Sequence, residues 1–313
     1  MVLQIEHTDK SAIGVHMQDG SFLPYGDEAI SNLDKDGKFA ESVRARRKQM
    51  EYRMAEVIAA REEMTKWNDN KVYAYDLDMK LIDLSFVGSL DLKNAISIGH
   101  SFGGGTAIAT ASRRPDLFGS VVALDPVTDW MPDDCRKDFF RVTEEKLSND
   151  SSAMKYNGGT CGYDVEKPSN DQDSINIEIN RVDTCRTKES CSVSKSVHNK
   201  EILFLFSQEW ETRKFGNISL IQHMHSTGKF GPNKVGYENK QIIGNATNGN
   251  EGNLSDVGII AGTNHPGFSD VCMTGSVWIL RAIGVTGKNN PIESADIISA
   301  RIIDFVTSVQ QKD

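Results

Sequence analysis

Residues 99–103 read Gly-His-Ser-Phe-Gly, a Gly-x-Ser-x-Gly pattern centred on Ser101. A serine hydroxyl is a poor nucleophile at neutral pH. It needs a base to take its proton and a carboxylate to orient that base. The pattern points to chemistry only where a strand feeds a helix, because the serine then sits on a strained turn with its hydroxyl exposed. Here AISI precedes and GGTAIATAS follows, so both flanks fit. Gly99 and Gly103 are expected to keep side chains out of the crowded strand–helix junction. Other glycine-rich readings fail. No Lys follows to complete a phosphate loop, and a dinucleotide fingerprint meets Ile108 where its last glycine should stand. A purely structural turn is the remaining alternative to a nucleophile.

A nucleophile of this kind is followed along the chain by an acid and then a histidine, each at the carboxyl end of a strand. That order filters the seven histidines. His7 and His16 come too early, and His100 adjoins the serine. His198 lies in or beside a polar segment. His223 and His225 fall on an expected helix, and their His-Met-His spacing lacks a third metal ligand. His265 directly follows VGIIAGT near the end of the chain and is the expected base.

For the acid, two positions stay open on the residues alone. Asp125 ends VVALD, 24 residues after Ser101. Glu209 and Glu211 follow the later run ILFLFS, where the acid more commonly stands. Asp125 also precedes Pro126 and so reads equally well as the start of a turn. The oxyanion of acyl transfer needs two N–H donors. One is expected from the backbone of Phe102; the other usually comes from a loop marked by His-Gly, a pair that occurs nowhere in this sequence.

These residues need elements to hold them. Strands are expected at Val2–Glu6, Ala95–Ile98, Val121–Leu124, Ile202–Phe206 and Val257–Ala261. Helices are expected near 36–68, 76–90, 103–114, 270–284 and 292–309. In the long first helix, Phe39, Val43, Met50, Met54, Val57 and Ile58 fall near a 3.6-residue period. Strands that are apolar throughout, alternating with helices, indicate a mostly parallel sheet covered on both faces. Residues 8–34 read as loop. Residues 141–199 are rich in Ser, Asn, Asp and Lys and read as a polar insertion in a single domain spanning 1–313, either without regular structure or stapled by disulfides.

Composition narrows the function. The 313 residues carry a net charge of −9 with no basic block, which argues against nucleic-acid binding. No stretch approaches eighteen consecutive apolar residues, so no transmembrane segment is expected. The five cysteines form no Cys-x-x-Cys pair, so no zinc site is expected. Clustered cysteines and four Asn-x-Ser/Thr sequons, at Asn149, Asn217, Asn245 and Asn253, lean towards a secreted setting, with a cytoplasmic one as the alternative. No targeting leader is read after Met1.

Four blocks together resemble the platelet-activating factor acetylhydrolases of the plasma and type II kind: IEHTDKSA, DLKNAISIGHSFGGGTAI, GSVVALDP and GTNHPGFSD. The resemblance implies an α/β-hydrolase fold and a calcium-independent serine esterase with no metal and no cofactor. Its implied triad is Ser101, Asp125 and His265, with Glu209 and Glu211 as loop residues at the rim. The implied substrate is a phospholipid with a short or oxidised sn-2 acyl group, and peripheral contact with a lipid surface is one way to meet it. In the family a Trp soon follows the acid; here Trp130 is displaced. The likeness also implies that the chain starts after the family's oxyanion loop and first strands. A general short-chain carboxylesterase or cutinase-like polyester hydrolase is the rival enzyme reading, and a non-catalytic lipid-binding relic is the rival outside enzymes.

Overall fold

Strictly apolar runs became the centre of a parallel sheet. The computed structural model describes residues 1–9, 14–17, 19–24, 39–69, 87–140, 201–213, 217–226, 256–269, 279, 281 and 286–311. Its strands and helices are β1 (Gly14–His16), β2 (Phe22–Pro24), α1 (Phe39–Asn68), β3 (Ile96–His100), α2 (Phe102–Arg113), β4 (Ser120–Leu124) and α3 (Asp133–Phe140). They continue with β5 (Glu201–Ser207), α4 (Gln208–Arg213), α5 (Ile218–Ser226), β6 (Asp256–Ile260), a 3-10 turn at His265–Phe268, and α6 (Pro291–Gln310). Met1–Arg141 and Lys195–Asp313 belong to one compact unit. The insertion expected at 141–199 lies outside the described residues, as do residues 76–86 of the helix expected at 76–90 and all but 279 and 281 of the one expected at 270–284; residues 87–89 form a turn rather than helix.

β3, β4, β5 and β6 form a four-stranded sheet in that order, every pair parallel. Register sets Gly99 opposite Ala123 and Leu124 opposite Leu205, which aligns the carboxyl ends of the strands. In the central strands β4 and β5, side chains alternate between two buried faces, as a strand's two-residue period requires, whereas Ile98 of β3 is exposed. Val122, Leu124, Leu203, Leu205 and Ile260 pack with Ile298, Phe305 and Val309 of α6. On β5, Phe204 points the other way and meets Phe139 of α3, ring centroids 6.1 Å apart.

α1 packs on α2. Val43, Met50 and Met54 are buried as the helical period requires, and Met64 joins them; Val57 and Ile58 are only partly buried. Arg61 on the same helix bonds the carbonyls of Leu92 and Leu117, tying down the approaches to β3 and β4. α2 is built of small residues because it is sunk in the protein: Gly104 to Ala111 are all buried.

Two expectations at the amino end are corrected. Residues 2–6 form no strand; their side chains are mostly exposed, so no sheet buries the apolar pattern. The expected loop at 8–34 instead contains the antiparallel pair β1–β2, with Val15 opposite Leu23. The link between its strands turns at Gly20, whose positive φ of 81° favours glycine. Gly20 N–H donates to Met17 O at 2.9 Å.

Candidate active site

Ser101 stands between β3 and α2 with φ 56° and ψ −119°, a conformation that L-residues adopt at a cost of about 1–3 kcal/mol. The main chain holds it there. Ser101 N–H donates to Leu124 O at 2.9 Å, and Val127 N–H donates to Ser101 O at 3.0 Å. The turn is tight enough that a Cβ on Gly99 would lie 2.1 Å from the Gly103 carbonyl oxygen. The second glycine of the motif behaves otherwise. A Cβ on Gly103 would meet nothing within 4 Å, which corrects the expectation that it relieves crowding. The glycine that closes the packing is Gly105, where a Cβ would sit 2.3 Å from the Val127 carbonyl oxygen. Phe102 opens α2, so its N–H belongs to the first turn, where helix donors have no intrahelical acceptor.

Asp125 follows β4 with φ 41° and is fully buried. Its N–H donates to Leu205 O at 2.9 Å, and its Oδ1 accepts from Ser207 N–H at 2.7 Å. The other oxygen, Oδ2, lies 3.0 Å from His265 Nδ1. Burial pushes the carboxyl above its ordinary range, while the bonds from His265 and Ser207 favour the carboxylate.

His265 begins the 3-10 turn after β6, and its Nε2 is 2.9 Å from Ser101 Oγ. Serine, imidazole and carboxylate therefore form one hydrogen-bonded line. The geometry suits the tautomer in which Nδ1–H donates to Asp125 and Nε2 accepts from the serine hydroxyl. The two glutamates do not join this line, since both imidazole nitrogens are already engaged. Glu209 instead accepts the His265 main-chain N–H at 3.0 Å and pairs with Arg213 at 3.1 Å. Glu209 and Glu211 both lie on α4, not on a loop.

The remaining histidines are dispersed. His7 bonds Glu56 at 2.7 Å and His16 lies against Phe22. His223 and His225 are on α5, and His198 is outside the described residues. His100 is in the site, which sequence order did not suggest. Its Nε2 donates to His265 O at 3.1 Å, and its ring centroid lies 4.6 Å from that of His265. Burial and the neighbouring His265 lower its pKa to about 4, so it stays neutral. His100, Asp125 and His265 present possible ligand atoms within 4.8 Å of one another. A cation there would have to displace the bonds from His265 to Asp125 and Ser101.

Beside Phe102 the sequence reading missed a stack of charge and ring. The Arg53 guanidinium lies 4.5 Å over the Phe102 ring and pairs with Asp9 at 2.6 Å. Trp130, displaced in sequence, meets the Phe102 ring edge-on at 5.5 Å. The signal was present in the block IEHTD: Thr8 bonds Glu56 and Asp9 bonds Arg53, both on α1. Cys135 on α3 is a free thiol whose burial pushes its pKa up to about 12, so it remains unreactive. Cys161, Cys185, Cys191 and Cys272 lie outside the described residues.

The family model described as "Platelet-activating factor acetylhydrolase, isoform II" matches residues 1–147. That span contains Ser101, Phe102 and Asp125 and ends before His265. No individual curated protein matches the chain. The parallel sheet with its flanking helices is that of an α/β-hydrolase.

Proposed function

We propose that the chain, whose first 147 residues match the platelet-activating factor acetylhydrolase family model, is a carboxylic ester hydrolase of that family, and more narrowly a serine esterase acting on phospholipids with a short or oxidised sn-2 acyl group. The observation that carries the chemistry is the line from Ser101 Oγ to His265 Nε2 at 2.9 Å and from His265 Nδ1 to Asp125 Oδ2 at 3.0 Å.

His265 takes the hydroxyl proton as Ser101 Oγ attacks the sn-2 carbonyl. The carbonyl oxygen gathers negative charge, which the Phe102 N–H at the start of α2 is placed to receive. Asp125 holds the imidazole in its tautomer and balances the imidazolium. His265 returns the proton to the departing glycerol oxygen, and lysophospholipid leaves. Water, deprotonated by His265, then releases the short acid from the serine. Preorganised dipoles and orientation supply most of the rate enhancement. No step calls on a metal or cofactor.

Among the described residues no helix is long and apolar enough to cross a membrane. The test is labelling by a fluorophosphonate probe, followed by hydrolysis of phosphatidylcholines with sn-2 chains of increasing length. Labelling at Ser101, its loss in Ser101→Ala, and rates that fall steeply with chain length are expected. Equal rates on simple alkyl esters and polyesters would favour a general carboxylesterase. No labelling of folded protein would favour a non-catalytic lipid binder.

A further inference from the structure

The His265 ring lies face to face with the indole of Trp210, centroids 4.7 Å apart and planes inclined by only 14°. Parallel stacking puts the electron-rich indole face against the ring that becomes a cation during acyl transfer. Trp210 is well placed to act electrostatically because it is almost fully buried, at 7% exposure, which limits the screening of the contact by water. It is also held firmly. Its main-chain N–H donates to Ser207 Oγ at 3.2 Å, and the main-chain N–H of the preceding residue, Glu209, donates to Thr263 O at 3.3 Å. The same short helix thus grips the His265 loop by main chain and lays a ring on the imidazole.

We propose that Trp210 is a positioning residue that favours the imidazolium form of His265 through its indole face. The inference rests on the reading of His265 as the base. Among the described residues, few charged and titratable groups lie around that ring. Asp125, at the end of β4, bonds Nδ1. His100, from β3, lies at 4.6 Å and stays neutral, so it adds no competing charge. Glu209, from α4, bonds the main-chain N–H rather than the ring. Asp125 acts along the ring plane, whereas Trp210, stacked parallel, acts through the ring face.

The experiment replaces Trp210 by tryptophans of increasing fluorination, introduced at this site alone in the full chain, with Trp210→Leu as the extreme. Fluorine drains the indole face of negative charge while nearly preserving its shape, so folding is not put at risk. Hydrolysis of p-nitrophenyl acetate is followed across pH. A ring that favours the imidazolium raises the pKa of the acidic limb of kcat/KM. Its removal should therefore move that limb to lower pH, stepwise with fluorination, and lower the rate at the plateau by roughly 3- to 30-fold in the leucine variant. A limb that stays in place across the fluorinated series overturns the inference and leaves Trp210 a packing residue. His265→Ala is assayed alongside. If that variant keeps its activity, the reading of His265 as base fails; if it is inactive while the limb stays unmoved, only the role of Trp210 fails.

Discussion

At the ends of β3 and β4 the backbone sets the functional side chains, whereas after β6 other residues' side chains do. Ser101 and Asp125 both have positive φ, and each is bonded through its own N–H to the neighbouring strand. His265 has ordinary backbone support within a short 3-10 turn, but its N–H, its carbonyl and its ring are held by Glu209, His100 and Trp210. The difference has a physical source. The proposed nucleophile and its acid gain from immobility, and strain stored in a turn is sustained by the sheet on either side. A base must pass a proton between two partners, and side-chain contacts position a ring while leaving its nitrogens exposed to those partners.

Substitutions can break this contrast at either end. The largest effect is expected from Asp125→Asn, which keeps the shape but loses the tautomer: kcat should fall about 10⁴-fold. Glu209→Gln, in the same assay, should fall far less. A comparable loss in Glu209→Gln would make the acid assignment wrong. Gly99→Ala tests the backbone end, because its Cβ would meet a carbonyl oxygen that cannot move aside. It should destabilise the fold by about 3 kcal/mol or more, seen as a collapse of thermal stability. Gly103→Ala, in open space within α2, should hold or raise stability by up to about 1 kcal/mol.

The side-chain end is tested by pH. His100 has a folded pKa of about 4, below its ordinary 6.5. In the unfolded chain it binds a proton between those values; in the fold it does not. Its contribution is therefore full above pH 6.5 and is lost as pH falls towards 4, by up to about 3 kcal/mol. His100→Gln retains a donor for His265 O and does not titrate. The melting temperature of the wild type should fall more than that of this variant between pH 7.5 and 5, and equal falls would place the pH sensitivity elsewhere. The smallest effect is expected from Glu209→Gln itself. A neutral acceptor in place of the carboxylate should lower kcat about tenfold or less, with the pH profile unmoved.

How far each residue could be read in advance follows the same division. Ser101 and Phe102 were legible because their geometry is local: strand, turn and helix lie within twenty residues of one another. His265 was legible by order along the chain and by its place after an apolar strand. Asp125 was not separable from Glu209 and Glu211 by residues alone, since all three follow strands of the same sheet. Only the family likeness favoured it. The tertiary structure puts Asp125 Oδ2 on the imidazole and turns Glu209 to the main chain. His100 and Trp210 escaped notice because a ring beside a motif says nothing of what will stack on it.

The sequence by itself determined the parallel sheet, through apolar runs that no half-exposed strand would tolerate, and the serine turn, through Gly99, where no Cβ fits. The order of the proposed nucleophile, acid and base along the chain is also its own. Tertiary structure alone decided which glycines matter, placing the second close approach at Gly105 rather than Gly103. It decided too that residues 2–6 stay off the sheet, and which carboxylate meets the histidine. These depend on distances between elements separated by scores of residues. Such distances follow from how β4, β5 and β6 register and pack, and no local pattern of residue types encodes them.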